Sequence, residues 1–122
     1  MTHTILIVDD SSQIRSSLRS WLANNSDWKV CGEAENGKEA VEKVEELHPD
    51  IVVLDMQMPV MNGLDAARQI NHLAPQTALL MFTLHSSNEL LKAAKAAGIR
   101  DVVSKSDPLS DHLSMALRQI CV

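Results

Sequence analysis

The chain has 122 residues, 45% of them hydrophobic and 22% charged, with a formal net charge of −5. That is enough for one packed core, too short for two ordinary ones, and too apolar for a disordered segment. No apolar run approaches the about 20 residues a bilayer span needs, and an acidic chain lacks the clustered Lys and Arg that grip nucleic-acid phosphates. The opening Met1-Thr2-His3-Thr4 has neither the basic start nor the apolar stretch of a signal peptide. Cys31 and Cys121 lack metal-ligand spacing and read as small core side chains in a reducing cytosol. Trp21, Trp28 and Phe82 are the aromatic residues, so the core is expected to be aliphatic.

In chain order, Thr4–Val8 reads as a strand buried on both faces, closed by Asp9-Asp10. Asp10 with Gln13 has capping-box spacing, and Ile14, Leu18, Trp21 and Leu22 recur with helical period up to Asn24-Asn25. Trp28–Ala34 is a second, partly exposed strand. Asn36 with Glu39 caps a helix carrying Ala40, Val41, Val44 and Leu47, which stops at His48-Pro49. Asp50–Leu54 is the most uniformly apolar strand and runs into Asp55. A Met-rich loop follows, and Asn62-Gly63 opens a helix with Leu64, Ala67, Ile70 and Leu73 inward. Ala78–Phe82 is a strand ending at Thr83. Ser86 with Glu89 has capping-box spacing for a helix running to Ala97, with Gly98 as its C-cap. Asp101–Ser104 is a short strand ending at Lys105. Asp107-Pro108 then starts a last helix lined by Leu113, Ala116, Leu117 and Ile120.

Five alternations of strand and helix, with no linker or low-complexity stretch, predict a single α/β domain over residues 1–122. It is a doubly wound parallel sheet with helices on both faces. In such a sheet, ligands bind beyond the carboxyl ends of the strands. Those ends carry Asp9 and Asp10, Asp55, Thr83 and Lys105. Converging carboxylates repel unless a cation joins them. Mg²⁺ suits such a set, taking one or two carboxylates, waters and a phosphate oxygen. A Lys and a hydroxyl beside it suit a phosphoryl group. The chemistry expected is therefore phosphoryl transfer or binding with Mg²⁺, in which a carboxylate can be the nucleophile.

These residues resemble the receiver domain of two-component response regulators along essentially the whole chain. The features that carry the resemblance are Asp9-Asp10 after the first strand, Asp55 leading into Met-Gln-Met-Pro-Val-Met-Asn-Gly, Thr83 and Lys105. The run Cys31 to Gly37 is also similar to receivers of the LuxR/NarL type, which precede a helix-turn-helix output domain. The resemblance implies a flavodoxin-like (CheY-like) five-stranded sheet of order 2-1-3-4-5 with five helices on its two faces. It implies that Asp55 accepts a phosphoryl group from a sensor histidine kinase. Asp10, Asp55 and the backbone carbonyl of Gln57 would ligate Mg²⁺, with Asp9 acting through water. Lys105 would pair with the phosphoryl oxygen and Thr83 would hydrogen-bond it, so biasing a two-state surface. The domain would be a cytoplasmic phosphoacceptor, not a turnover enzyme. It would control an output domain or downstream protein, or a second copy of itself, without touching nucleic acid or membrane.

Four positions depart from the family pattern. Val102 stands where an aromatic switch residue is usual, so ring rotation cannot report phosphorylation. Ser106 replaces a common Pro after Lys105. Leu84 follows Thr83 where a smaller residue is common, and is expected to cover the site. Gln57 sits where the family tunes autodephosphorylation. Two alternatives follow from the residues: an interaction or dimerisation module that no longer uses phosphate, and a Mg²⁺-dependent phosphohydrolase. The second usually needs an Asp-x-Asp motif after the first strand, which Asp9-Asp10-Ser11 lacks. Plainer readings cover the rest. The five His residues serve surface or capping roles, and Met56, Met58 and Met61 fill gaps around their loop. Glu42, Lys43, Glu45 and Glu46 form a solvated helix face. So do Lys92, Lys95, Asp101 and Arg118, which otherwise form a charged partner face over the last two helices.

Overall fold

A computed structural model of the chain describes residues 3–24, 27–84, 87–105 and 112–120. The elements alternate throughout: β1 (His3–Val8), α1 (Ser12–Ala23), β2 (Trp28–Ala34), α2 (Gly37–Leu47), β3 (Ile51–Leu54), α3 (Gly63–Leu73), β4 (Ala78–Thr83), α4 (Asn88–Ala96), β5 (Ile99–Ser104) and α5 (His112–Ile120). The strands form one parallel sheet in the order β2-β1-β3-β4-β5, as expected.

The continuous apolar runs follow from burial on both faces. Successive strand residues point to opposite sides. Leu6, Val8, Val52, Leu54, Leu79, Met81 and Val102 therefore meet α2, α3 and α4 through Ala40, Val44, Ala67, Ile70 and Ala94. Ile5, Ile7, Ile51, Val53, Leu80, Phe82 and Val103 meet α1 and α5 through Leu18, Leu22, Leu113, Ala116 and Leu117. Trp21 and Trp28 stack at the rim of this second layer, ring centroids 6.3 Å apart. Met56, Met58 and Met61 pack, half-buried, against the first layer.

Several local expectations are corrected. The α1 cap is Ser11, whose extended backbone lets its hydroxyl accept from the Ile14 N–H; Asp10 remains in the loop before it. The α4 cap is Ser87, accepting from the Leu90 N–H; Ser86 lies outside the described residues, as do Ser106, Asp107, Pro108 and Cys121. β5 begins at Ile99 instead of Asp101, because Gly98 adopts φ +92° and turns the chain directly from α4 into the strand. Leu73, at the end of α3, is 50% exposed, while Ala66, absent from the expected apolar set, is fully buried. Asn36 caps α2 as expected, and His48 ends that helix in the left-handed region, φ 49°. The Cys31 thiol is half-buried and donates weakly to the Ile5 carbonyl at 3.5 Å.

Candidate cation and phosphoryl site

Register sets the site. Val8 pairs with Leu54, so Asp9 and Asp55 leave adjacent strands side by side. The Asp55 N–H donates to the Val8 carbonyl at 3.1 Å and the Asp9 N–H to the Ala34 carbonyl at 3.0 Å, carrying the ladder one residue past the strands. On the far side, the Lys105 N–H donates to the Thr83 carbonyl at 2.7 Å. The fold thereby brings Asp9, Asp10, Asp55, Thr83 and Lys105 to one edge of the sheet. Gln57 follows two residues beyond Asp55, exposed on the same loop.

Asp9, Asp55 and Thr83 are buried, and Asp10 is exposed. One carboxylate oxygen from each of Asp9, Asp10 and Asp55 lies within 4.8 Å of the others. Lys105 Nζ sits between two of them, 2.6 Å from Asp9 Oδ2 and 3.0 Å from Asp55 Oδ2. It also lies 5.9 Å from the centre of the Phe82 ring. The second oxygens are held by backbone: Asp9 Oδ1 accepts from the Ser11 N–H at 2.9 Å and Asp55 Oδ1 from the Met56 N–H at 2.8 Å.

Burial pushes the Asp9 carboxyl above its ordinary range. The Lys105 bond and the Ser11 N–H pull the other way without winning, and the Asp55 charge adds to the rise. Burial also disfavours the Lys105 ammonium, but its bonds to Asp9 and Asp55 outweigh that and raise its pKa. Three carboxylates against one ammonium leave two negative charges uncompensated. A hard divalent cation with oxygen ligands fits that surplus and spacing.

Gly63 completes the loop. Its N–H donates to the Met56 carbonyl at 2.8 Å, and a Cβ there would stand 2.1 Å from the Asp55 carbonyl oxygen. The Asn62-Gly63 pair, read from sequence as a helix start, is therefore also what lets α3 approach the strand end. Two further departures lie on β5 and just past β4. Val102 is buried on β5 opposite Met81, a core side chain with no ring to turn. Leu84, expected to cover the site, is 62% exposed and does not join the buried residues. Sequence reasoning also missed Arg15, whose Nη1 donates to the Asp9 carbonyl at 2.6 Å. Nothing in its helical period distinguishes it from a solvated residue.

The model of the response regulator receiver domain matches residues 5–116. The chain belongs to this family. The family is that of the phosphorylation-dependent switches of two-component signalling, and this receiver domain shares its fold in full. It is similar to the crystal structure of the response regulator domain of Thermotoga maritima CheB, at 30% identity and TM-score 0.92, over 100% of this chain and 98% of that chain. It is 38% identical over 105 residues to the chemotaxis protein CheY of Thermotoga maritima, covering 86% of this chain and 87% of that protein. It is 45% identical over 108 residues to a protein-glutamate methylesterase/protein-glutamine glutaminase of Methanosarcina acetivorans, covering 87% of this chain. The receiver domain spans only 31% of that methylesterase's length. No helix among the described residues is long and apolar enough to cross a membrane.

Proposed function

We propose that residues 1–122 act as a single receiver domain whose phosphoacceptor is Asp55. One observation carries the reading: a buried Asp55 carboxylate shares an ammonium with Asp9 and lies within ligand distance of Asp10. An oxygen of Asp55 attacks the phosphorus of a phosphohistidine on a sensor histidine kinase. The new P–O bond forms as the P–N bond breaks, and the electron pair leaves on the imidazole nitrogen, which takes a proton from solvent. Asp10, Asp55 and the Gln57 backbone carbonyl would hold Mg²⁺, with Asp9 reached through water. The ion would supply the positive charge that offsets the phosphoryl oxygens.

Lys105 then exchanges its carboxylate contacts for a phosphoryl oxygen, and the Thr83 hydroxyl turns to hydrogen-bond another. Those two movements, at the ends of β4 and β5, bias the adjoining surface. With a buried valine at 102, the bias travels through the strand ends and not through a rotating ring. The output is a separate domain or partner protein, with transcriptional control or self-association as its form. This chain itself contacts neither nucleic acid nor membrane, acts in the cytoplasm, and turns over no substrate of its own.

A small phosphodonor such as acetyl phosphate, with Mg²⁺, should label the chain, and Asp55→Asn should abolish the label. Labelling that persists in Asp55→Asn refutes the assignment. Absence of Mg²⁺ and beryllofluoride binding by titration would favour a module that no longer uses phosphate. Steady turnover of a phosphomonoester would favour a hydrolase.

A further inference from the structure

We propose that Arg15 is a positioning residue for the cation site, setting the direction of the Asp10 carboxylate through the peptide that joins Asp9 to Asp10. This rests on the cation reading above and deepens it. Arg15 lies on the first turns of α1, and its guanidinium reaches back across the loop. Nη1 donates to the Asp9 carbonyl at 2.6 Å, while Nε donates to Glu33 Oε1 at 3.0 Å. The other Glu33 oxygen is taken by Arg19, at 2.8 Å from Nε and 2.7 Å from Nη2. The Arg15 side chain is only 17% exposed. It is a fixed brace between β2 and the acidic loop, unlike Arg19, which is 50% exposed.

The carbonyl it holds matters because of where it is. The Asp9 C=O and the Asp10 N–H belong to one planar peptide, and this peptide links two of the three carboxylates of the cluster. On its Asp9 side every handle is already fixed: the N–H by Ala34, one carboxylate oxygen by Ser11, the other by Lys105. On its Asp10 side the carboxylate is exposed. Arg15 therefore supplies the restraint that fixes the plane from which Asp10 projects. Glu33 in turn holds the guanidinium by its Nε, leaving Nη1 aimed at the Asp9 carbonyl. A residue that orients a ligand, touching neither the ion nor Asp55, acts on how tightly the ion is held.

The test is calorimetric titration of MgCl2 into the full 122-residue chain at neutral pH. It is paired with thermal unfolding and with the acetyl phosphate labelling rate at saturating Mg²⁺. For Arg15→Ala the Mg²⁺ Kd is expected to rise about tenfold, with the labelling rate at saturating Mg²⁺ largely kept. Arg15→Lys should fall between, because one ammonium replaces the two separate donor atoms, Nη1 and Nε, that reach the Asp9 carbonyl and Glu33. Glu33→Gln should weaken Mg²⁺ binding less than Arg15→Ala, since the carbonyl bond survives. An Arg15→Ala chain with lower unfolding temperature but unchanged Kd would overturn the proposal and leave Arg15 as a brace for the fold alone. If Arg15→Ala does not fold, Arg15→Lys decides: a raised Kd supports the proposal and an unchanged one overturns it. Failure of the unsubstituted chain to bind Mg²⁺ would instead bring down the cation reading itself.

Discussion

The two edges of the sheet use similar residues to opposite ends. Where the strands begin, Asp50 Oδ2 accepts from the Thr4 N–H at 2.8 Å and the Thr4 hydroxyl at 3.2 Å. The Asp50 N–H returns a bond to the Thr4 carbonyl, and the Thr77 hydroxyl donates to the Pro49 carbonyl at 3.2 Å. One exposed acid there meets neutral donors, and the contacts close on themselves. Where the strands end, two buried acids share a single ammonium and an exposed third acid lies beside them. An Asp at a strand terminus is thus no site by itself. Burial and an unbalanced charge are what separate the working edge from the closing one.

The sharpest way to break this comparison is to remove the ammonium. Lys105→Met should destabilise the cation-free domain by about 3 kcal/mol, because it strands two buried carboxylates. Saturating Mg²⁺ should narrow the gap in urea unfolding. Gly63→Ala comes next. Its Cβ must displace the Asp55 carbonyl, so a loss of about 2 kcal/mol is expected, with slower phosphoryl labelling because Asp55 itself moves.

Then come two acids with opposite signs. Asp50→Ala should cost about 1 kcal/mol in denaturant unfolding by leaving the Thr4 donors without their acceptor. Asp9→Asn should stabilise the cation-free protein by about 1 kcal/mol, since Lys105 keeps Asp55 as its partner. The sign follows from linkage. The folded Asp9 pKa is raised, so its contribution is fully present below the unfolded value of 3.8 and lost as pH rises through the folded one. At neutral pH the ionised group is therefore a cost.

The smallest effect concerns Cys31, whose thiol is pushed above 9.0 by burial, with the Asp50 charge adding to it. Its stability contribution is present below pH 9.0 and is lost above it, through the higher folded value. Iodoacetamide alkylation in a Cys121→Ser background should have its midpoint above 9.0, and Asp50→Ala should lower that midpoint.

The strand-end acids, Thr83 and Lys105 were legible because each strand ends where an apolar run meets a polar residue, and the sheet order followed from the family resemblance those residues carry. That boundary is local in the sequence. Less legible were choices between neighbours. Asp10 and Ser11 are both good caps, and only the backbone conformation decides that Ser11 caps while Asp10 stays free in the acidic loop. The early start of β5 depends on a positive φ at Gly98. Contacts that join distant segments left no periodic trace. Arg15 reaches Glu33 on β2 and the Asp9 carbonyl through a long side chain. Gly63 matters because of a backbone eight residues earlier.

The central claim, that Asp55 is the phosphoacceptor, is tested most directly by trapping. After acetyl phosphate and Mg²⁺, borohydride reduces an aspartyl phosphate to homoserine, which peptide mass spectrometry can place. The account predicts homoserine at position 55 and intact Asp9 and Asp10. Homoserine at 9 or 10, or a phosphoryl group recovered on a Ser, Thr or His, would contradict it.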